Sequence, residues 1–286
     1  MPFIKIIRPI NCLFVALTTI LGFAFLNDFL EINNFLYIIF ATISAFFIAA
    51  AGYTINDYYD YEIDKINKPN RPLPKGDITL DTARMYGIYL FIIGCILSLF
   101  TMNYFCILIA VLNSIALYFY AKLLKKNLII GNLLVAWNTC STFIYGAILS
   151  SNLKNILPLI CFSFLYTIIR EWVKIIEDYD GDKKEKVKSI AIILGKQKTI
   201  YLIVFVAIIL ISSIFFFYIK SFMEETFFIV LLLLIFIPLT ILIISLYRSM
   251  NKFTAEKIQR FMKLNMLSVV CFYIIYDILT FRIIRV

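Results

Sequence analysis

The chain contains no histidine. Imidazole bases, imidazole metal ligands and bis-histidine haem sites are excluded in one step. Its six cysteines, Cys12, Cys95, Cys106, Cys140, Cys161 and Cys271, are scattered through apolar segments without a CxxC pair. Neither a disulfide framework nor a zinc site is indicated. Charge is sparse as well: charged residues make up 16% of the 286 positions and hydrophobic ones 62%, with a mean hydropathy of +0.92. No soluble domain of that length needs so much apolar surface. The composition predicts an all-α integral membrane protein, a single multi-pass domain over 1–286. The formal charge of +9 does not indicate nucleic acid, because the basic residues sit in short loops between apolar runs.

Nine apolar runs approach the ~20 residues that span a bilayer. They cover 10–29, 35–57, 80–101, 104–122, 128–149, 156–176, 199–219, 226–247 and 262–281. Lys5 and Arg8 precede the first, but no small-residue cleavage site follows it, so it is expected to stay as a helix. Of the 27 Lys and Arg, only Lys154, Lys220, Arg282 and Arg285 fall on one side of the membrane. The positive-inside rule then places the N-terminus and both large loops in the cytoplasm, within the cell membrane.

The stretch from Asn56 to Gly76 follows the second run. Asp57, Asp60 and Asp64 stand at i, i+3 and i+7 and share one face if the helix continues. Three anions there repel one another and oppose the helix macrodipole, so a cation should offset them. Carboxylates at this spacing suit Mg2+, especially a Mg2+ that also holds substrate phosphates. A solvated acidic loop after a membrane helix would use the same residues. The sixth run ends likewise, in Glu177, Asp178, Asp180 and Asp182, with Asp178 and Asp182 at i, i+4. Twelve of the 18 acidic residues lie in or beside these two loops, which argues for a shared task. Matched clusters four spans apart predict two parallel four-helix repeats, about 10–122 and 128–247, plus a ninth helix at 262–281.

Asn56-Asp57-x-x-Asp60-x-x-x-Asp64, followed by Asn67-x-Pro69-x-Arg71-Pro72-x-x-x-Gly76, resembles the first signature of the UbiA-type intramembrane prenyltransferases. Within that family the wording from Lys68 to Gly76 is most similar to the archaeal branch that makes ether lipids. The resemblance covers almost the whole chain. It implies that Asp57, Asp60 and Asp64 form one Mg2+-diphosphate motif, with Asn56 as polar partner and Arg71 as the arginine of the Pro-rich extension. Asp178 and Asp182 match the second motif. The branch has an acid just after the lysine matching Lys174, where this chain has Ile175; either Glu177 or Asp180 compensates, or the position stands behind the ligands rather than among them. The implied reaction is Mg2+-dependent transfer of a geranylgeranyl group from its diphosphate to the hydroxyl of geranylgeranylglyceryl phosphate. The implied partners are a prenyl diphosphate donor, a lipid phosphate acceptor and membrane lipids.

A polyprenyl diphosphate needs a greasy tunnel with a polar mouth, and the allylic cation left by ionisation needs a water-poor chamber. Basic groups expected around the mouth are Arg8, Arg71, Lys75, Lys122, Lys125, Lys126, Lys183 and Lys184. Tyr53, Tyr118, Tyr120 and Tyr166 could line it and stabilise the cation; an aromatic belt at the membrane interface explains them equally. Asn132 and Asn138, beside Trp137 and Thr139, read as helix-packing amides. Asp277 in the last run reads as paired with Arg282 or snorkelling. Each long cytoplasmic loop is expected to contain a short helix and to close over the site. The rivals are the same chemistry on an aromatic quinone precursor or haem, a secondary transporter, and a phospholipid head-group transferase. A transporter should show polar residues at mid-membrane, whereas the charge here sits at the rim. Asp81-Thr82-Ala83-Arg84 is only a fragment of the DGxxAR-type motif that the last needs.

Overall fold

The computed structural model describes residues 1–24, 32–124, 128–150, 156–184, 189–223, 225–249 and 251–284. Thirteen α-helices and one π-helical turn account for the regular structure of these residues, and no strand occurs among them. Helices cover the described parts of all nine apolar runs. Five of them, Phe35–Tyr59, Leu80–Leu99, Tyr104–Lys122, Lys196–Ile219 and Glu225–Arg248, are long and apolar enough to cross a membrane. Their outer faces stay apolar: Ile92, Ile96, Phe205, Ile208 and Phe216 are all exposed, as lipid contact requires and water would not favour.

The chain divides into two compact units. The first holds α1 (Pro2–Ile6), α2 (Pro9–Ala24), α3 (Ile32–Tyr59), α4 (Tyr61–Asn67), α5 (Leu80–Leu99), α6 (Tyr104–Lys122) and the C-terminal part of α7 (Leu128–Ala147). Small residues set its helix spacing. A Cβ on Gly146 would stand 1.9 Å from Thr19 O, and one on Gly22 would stand 2.1 Å from Phe143 O. Only glycine permits that approach of α2 to α7, in the way that small residues bring membrane helices together. Hydroxyls seal it, with Thr142 Oγ1 donating to Thr18 Oγ1 at 2.8 Å. Ser44 Oγ ties α3 to α5 by donating to Gly94 O at 2.7 Å, and itself accepts from Tyr145 Oη at 3.0 Å.

The second unit holds the N-terminal part of α7, then α8 (Leu157–Lys184), α9 (Ile190–Leu194) and α10 (Lys196–Ile219). It continues with α11 (Glu225–Leu231), a π turn (Leu232–Phe236), α12 (Ile237–Arg248) and α13 (Lys252–Ile284). Phe162, Tyr166, Ile169, Val173 and Ile176 are buried at alternating steps of four and three along α8, the stripe of a helix seated on neighbours. The stripe explains a departure from the sequence reading. The run was expected to end at 176, but α8 continues through the second acidic cluster to Lys184. The buried Ile176 anchors that last stretch.

The π turn has a local cause. Pro238 has no N–H to give to the carbonyl four residues back, that of Leu234. Asn265 Nδ2, from α13, donates to that carbonyl instead at 2.8 Å. Asn265 Oδ1 accepts from Tyr166 Oη of α8 at 2.7 Å. One buried amide thus joins α8, α13 and the π turn.

Candidate active site

In the first unit, α3 stops at Tyr59 and α4 begins at Tyr61, with Asp60 between them at φ −87° and ψ 1°. The break is slight: Asp60 N still donates to Asn56 O at 3.0 Å and Asp64 N to Asp60 O at 2.7 Å. The three carboxylates therefore remain one group across the join. They are also buried, Asp57 and Asp64 being 4% exposed and Asp60 8%, which excludes the solvated-loop reading.

Buried anions demand partners, and the sequence supplies them locally and at long range. Asn56 Nδ2 donates to Asp60 Oδ2 at 2.8 Å. Arg71 Nη1 donates to Asp57 Oδ1 at 3.1 Å and also to Asp64 Oδ2. Arg8 Nη2 donates to the same Asp57 oxygen. Arg71 is delivered by the Pro-rich segment, which Leu73 and Ile78 seat in a small apolar cluster with Ile6 and Ala83. A turn ends that segment: Asp77 N reaches Pro72 O at 2.9 Å and Gly76 N reaches Leu73 O at 3.0 Å. Gly76 sits there at φ 82°, the left-handed position that this double-bonded turn gives to glycine. Arg8 has φ 52°. Pro9 starts α2, and the residue before a proline is disfavoured in the helical region; that kink separates α1 from α2.

Tyrosines lie beside Arg8 and Lys122. Arg8 lies over the Tyr53 ring at 5.1 Å. Tyr59 Oη and Tyr118 Oη are 3.2 Å apart, and Lys122 Nζ lies 6.0 Å from the Tyr118 ring centre. Lys75 is not brought to the carboxylates: its Nζ lies 3.5 Å from Asp77, with the side chain 62% exposed.

In the second unit Asp178 and Lys183 are exposed on the last turns of α8. Asp180 lies 4.0 Å from Lys196 Nζ, which also sits 4.4 Å over the Tyr179 ring. Glu177 has its carboxyl pushed up by burial and by Asp178 and Glu256, against the opposing pull of Lys174 and Lys252. Ile175 is buried, so the position where the branch carries an acid is an apolar packing contact here. Tyr166 is buried, and its hydroxyl bonds to Asn265. Asn132 is buried, with no hydrogen-bond partner for Nδ2 among the described residues, while Asn138 Nδ2 donates to Leu134 O on its own helix at 2.9 Å. The side chains of Asp182, Lys184, Asp277 and Arg282 lie outside the described residues, as do Lys125 and Lys126 altogether.

The UbiA prenyltransferase family matches residues 15–269. The chain belongs to this family. It is 43% identical over 206 residues to the digeranylgeranylglyceryl phosphate synthase of Methanococcus aeolicus, a match covering 72% of this chain and 71% of that one. The synthase of the same name from Saccharolobus solfataricus is 43% identical over 202 residues, covering 69% and 70%. A solved structure concerned with digeranylgeranylglyceryl phosphate synthase in membranes superposes with a TM-score of 0.79 at 35% identity, covering 97% of this chain and 98% of that one. A UbiA homolog from Archaeoglobus fulgidus bound to DMAPP and Mg2+ gives a TM-score of 0.72 at 17% identity, covering 95% and 99%, and shares the fold.

The carboxylates of this UbiA chain offer oxygen donors only, the hard set that Mg2+ prefers. Among the described residues, no group of three acidic side chains is placed to hold one ion by itself, and Arg71 is bonded to both Asp57 and Asp64. The donor set therefore fits a Mg2+ held by one or two carboxylates and completed by phosphate oxygens, not an all-protein cage. Sequence reasoning missed a second feature of this unit-two helix. Arg170 and Lys174 stand one turn apart just before the acids, and Lys263 of α13 lies within electrostatic reach of both. The i, i+4 spacing of the first two was legible; the approach of Lys263 was not.

Proposed function

We propose that this chain transfers a geranylgeranyl group from geranylgeranyl diphosphate to the hydroxyl of geranylgeranylglyceryl phosphate, releasing diphosphate. The observation that carries the chemistry is the buried group of Asp57, Asp60 and Asp64, gripped by Arg8 and Arg71. The names of relatives about 40% identical support the choice of substrates. Asp57, Asp60 and Asp64, with Asp178 and Asp182, would hold Mg2+. Bound there, Mg2+ would neutralise charge growing on the diphosphate as the allylic C–O bond breaks. Arg8 and Arg71 are already at the carboxylates and would donate to diphosphate oxygens, with Lys122 and Lys183 as further cations. Asn56 holds Asp60 in orientation. Tyr53, whose ring lies under Arg8, and the Tyr59–Tyr118 pair would supply ring faces to stabilise a cation formed at C1 and keep water off.

The same reading takes the helices as nine membrane spans, two parallel four-helix repeats and a last helix, with the N-terminus and both acidic ends cytoplasmic. The sided distribution of Lys and Arg supports it. Competition decides the acceptor: purified protein receives geranylgeranyl diphosphate, Mg2+ and equal amounts of geranylgeranylglyceryl phosphate and 4-hydroxybenzoate. The expected product is the doubly prenylated glyceryl phosphate. Preferential prenylation of 4-hydroxybenzoate would overturn the acceptor and keep the prenyl transfer; no diphosphate release with either would overturn both.

A further inference from the structure

Within the second unit, α8 carries Arg170 and Lys174 one turn apart on one face. From α13, Lys263 comes within electrostatic reach of both. Two carboxylates sit among the three. Glu171 is buried and accepts from Arg170 Nε at 3.2 Å and Nη2 at 2.7 Å on a single oxygen. Glu177, further along and half-buried, faces Lys174 and Lys263 as well as Lys252, Asp178 and Glu256, and Glu256 is bonded to Arg260. Three cations therefore gather about two acids, with a surplus of one positive charge. Arg170 is half-buried, while Lys174 and Lys263 are exposed.

Like charges this close repel and would ordinarily splay apart. A polar contact holds the two helices that carry them together. Tyr166 stands one turn before Arg170 on α8, and its partner Asn265 stands two residues after Lys263 on α13. Asn265 is fixed in turn by the Leu234 carbonyl that Pro238 leaves without its helical donor. The amide thus fixes α8 against α13, the helices that bring the cations together, and such a cluster can receive an anion through charge-assisted bonds.

We propose that Arg170, Lys174 and Lys263 bind the phosphate monoester of the lipid acceptor. The identity of that acceptor rests on the reading given above. The cluster is distinct from the carboxylate motifs in chemistry, because it offers direct cations where those offer metal ligands. It is also close to one of them: Lys174 lies one turn, roughly 6 Å of helix rise, before Asp178. That interval suits a glyceryl phosphate whose phosphate sits at the cations while its hydroxyl points toward the metal-binding end of α8.

The test compares two acceptors, geranylgeranylglyceryl phosphate and the same lipid without its phosphate, in wild type, Lys174→Gln and Lys263→Gln. The preference for the phosphorylated acceptor, as a ratio of kcat/KM values, should fall roughly tenfold in each variant, as loss of one charge-assisted contact implies. A ratio that stays at the wild-type value while both activities fall together would show a merely structural role and overturn the proposal. Arg170→Gln strips Glu171 of its partner and can fail to fold, so the two lysines carry the test. Titration calorimetry of geranylgeranylglyceryl phosphate into donor-free protein gives a readout independent of turnover. Weaker binding in both lysine variants, from a protein that prenylates neither acceptor, would sustain the anion site and reject the proposed reaction. Equal affinity in wild type and variants would reject the site whatever the activity.

Discussion

Arg71 Nη1 donates to Asp57 Oδ1 at 3.1 Å, and the same nitrogen reaches Asp64. One guanidinium thus stands between the first and third carboxylates of the Asn56–Asp64 motif. Without it, two buried anions would face each other. Arg71→Ala is expected to destabilise the protein by about 2–3 kcal/mol, in the range for a charge-assisted bond lost at a buried acid. The thermal midpoint in detergent should fall accordingly. Mg2+ with inorganic diphosphate should restore part of the loss, because the ion returns positive charge to the same oxygens. A midpoint insensitive to the substitution would mean that the carboxylates do not depend on Arg71.

The position of Arg71 also sets how Mg2+ enters. An ion arriving alone must compete with a guanidinium already bonded to two of the three acids. An ion arriving with diphosphate brings phosphate oxygens that complete its own shell and accept from Arg71. Mg2+ affinity by calorimetry should therefore be weak for the free protein and at least about tenfold stronger with diphosphate present, a coupling near 1.4 kcal/mol. Tight binding of Mg2+ without any diphosphate would contradict this order.

If both acidic groups serve one diphosphate, each is needed. Asp57→Asn, Asp60→Asn, Asp178→Asn and Asp182→Asn should each lower kcat by about a hundredfold or more, the loss of roughly 3 kcal/mol of transition-state stabilisation. Circular dichroism should show unchanged helix content. Near-wild-type turnover in both Asp178→Asn and Asp182→Asn would confine the chemistry to the first group.

The first carboxylate group was legible because most of what shapes it is local, Arg8 alone coming from far along the chain. The i, i+3, i+7 spacing survives the join at Asp60, and the Pro-rich segment returns Arg71 within a few residues. Pro9 likewise announces the kink at Arg8, although the short helix α1 before it carries no periodic signal. What escaped the sequence depends on distant residues meeting. The end of α8 was placed eight residues early, because charge there read as loop while Ile176 kept the helix seated. The hydrogen bond from Tyr166 to Asn265 on α13 likewise had no sequence signal. The expected short helices in the two long loops are present as α4 and α9.

The brace at Asn265 makes a quantitative test of helix packing. Its Nδ2 bonds to the Leu234 carbonyl because Pro238 cannot. Asn265→Ala should destabilise by about 2 kcal/mol, since a buried carbonyl and the Tyr166 hydroxyl lose their partner together. In a Pro238→Ala background the restored N–H can return to Leu234 O, so the same change should be milder by about 1 kcal/mol. Thermal unfolding of the four proteins of this cycle measures the coupling. Strict additivity would show that the proline is not the reason for the amide.

The segment expected to close over the first group is tethered already, and this fixes its expected motion. The seven residues of α4 are too few to form a stable helix alone. They and the following Pro-rich segment are held by Leu73 and Ile78 in their apolar cluster and by Arg71 at the carboxylates. When diphosphate and Mg2+ bind, Arg71 would gain phosphate oxygens as acceptors and the segment would be held from both sides. Amide hydrogen exchange over 61–79 should then slow, by about tenfold for each 1.4 kcal/mol of added local stability. In Arg71→Ala the same amides should exchange faster without ligand and respond less to it, while α5 keeps its protection. Unchanged exchange over 61–79 at saturating Mg2+ and diphosphate would mean that this segment does not close on the donor, and that water is excluded from the cation by the helices alone.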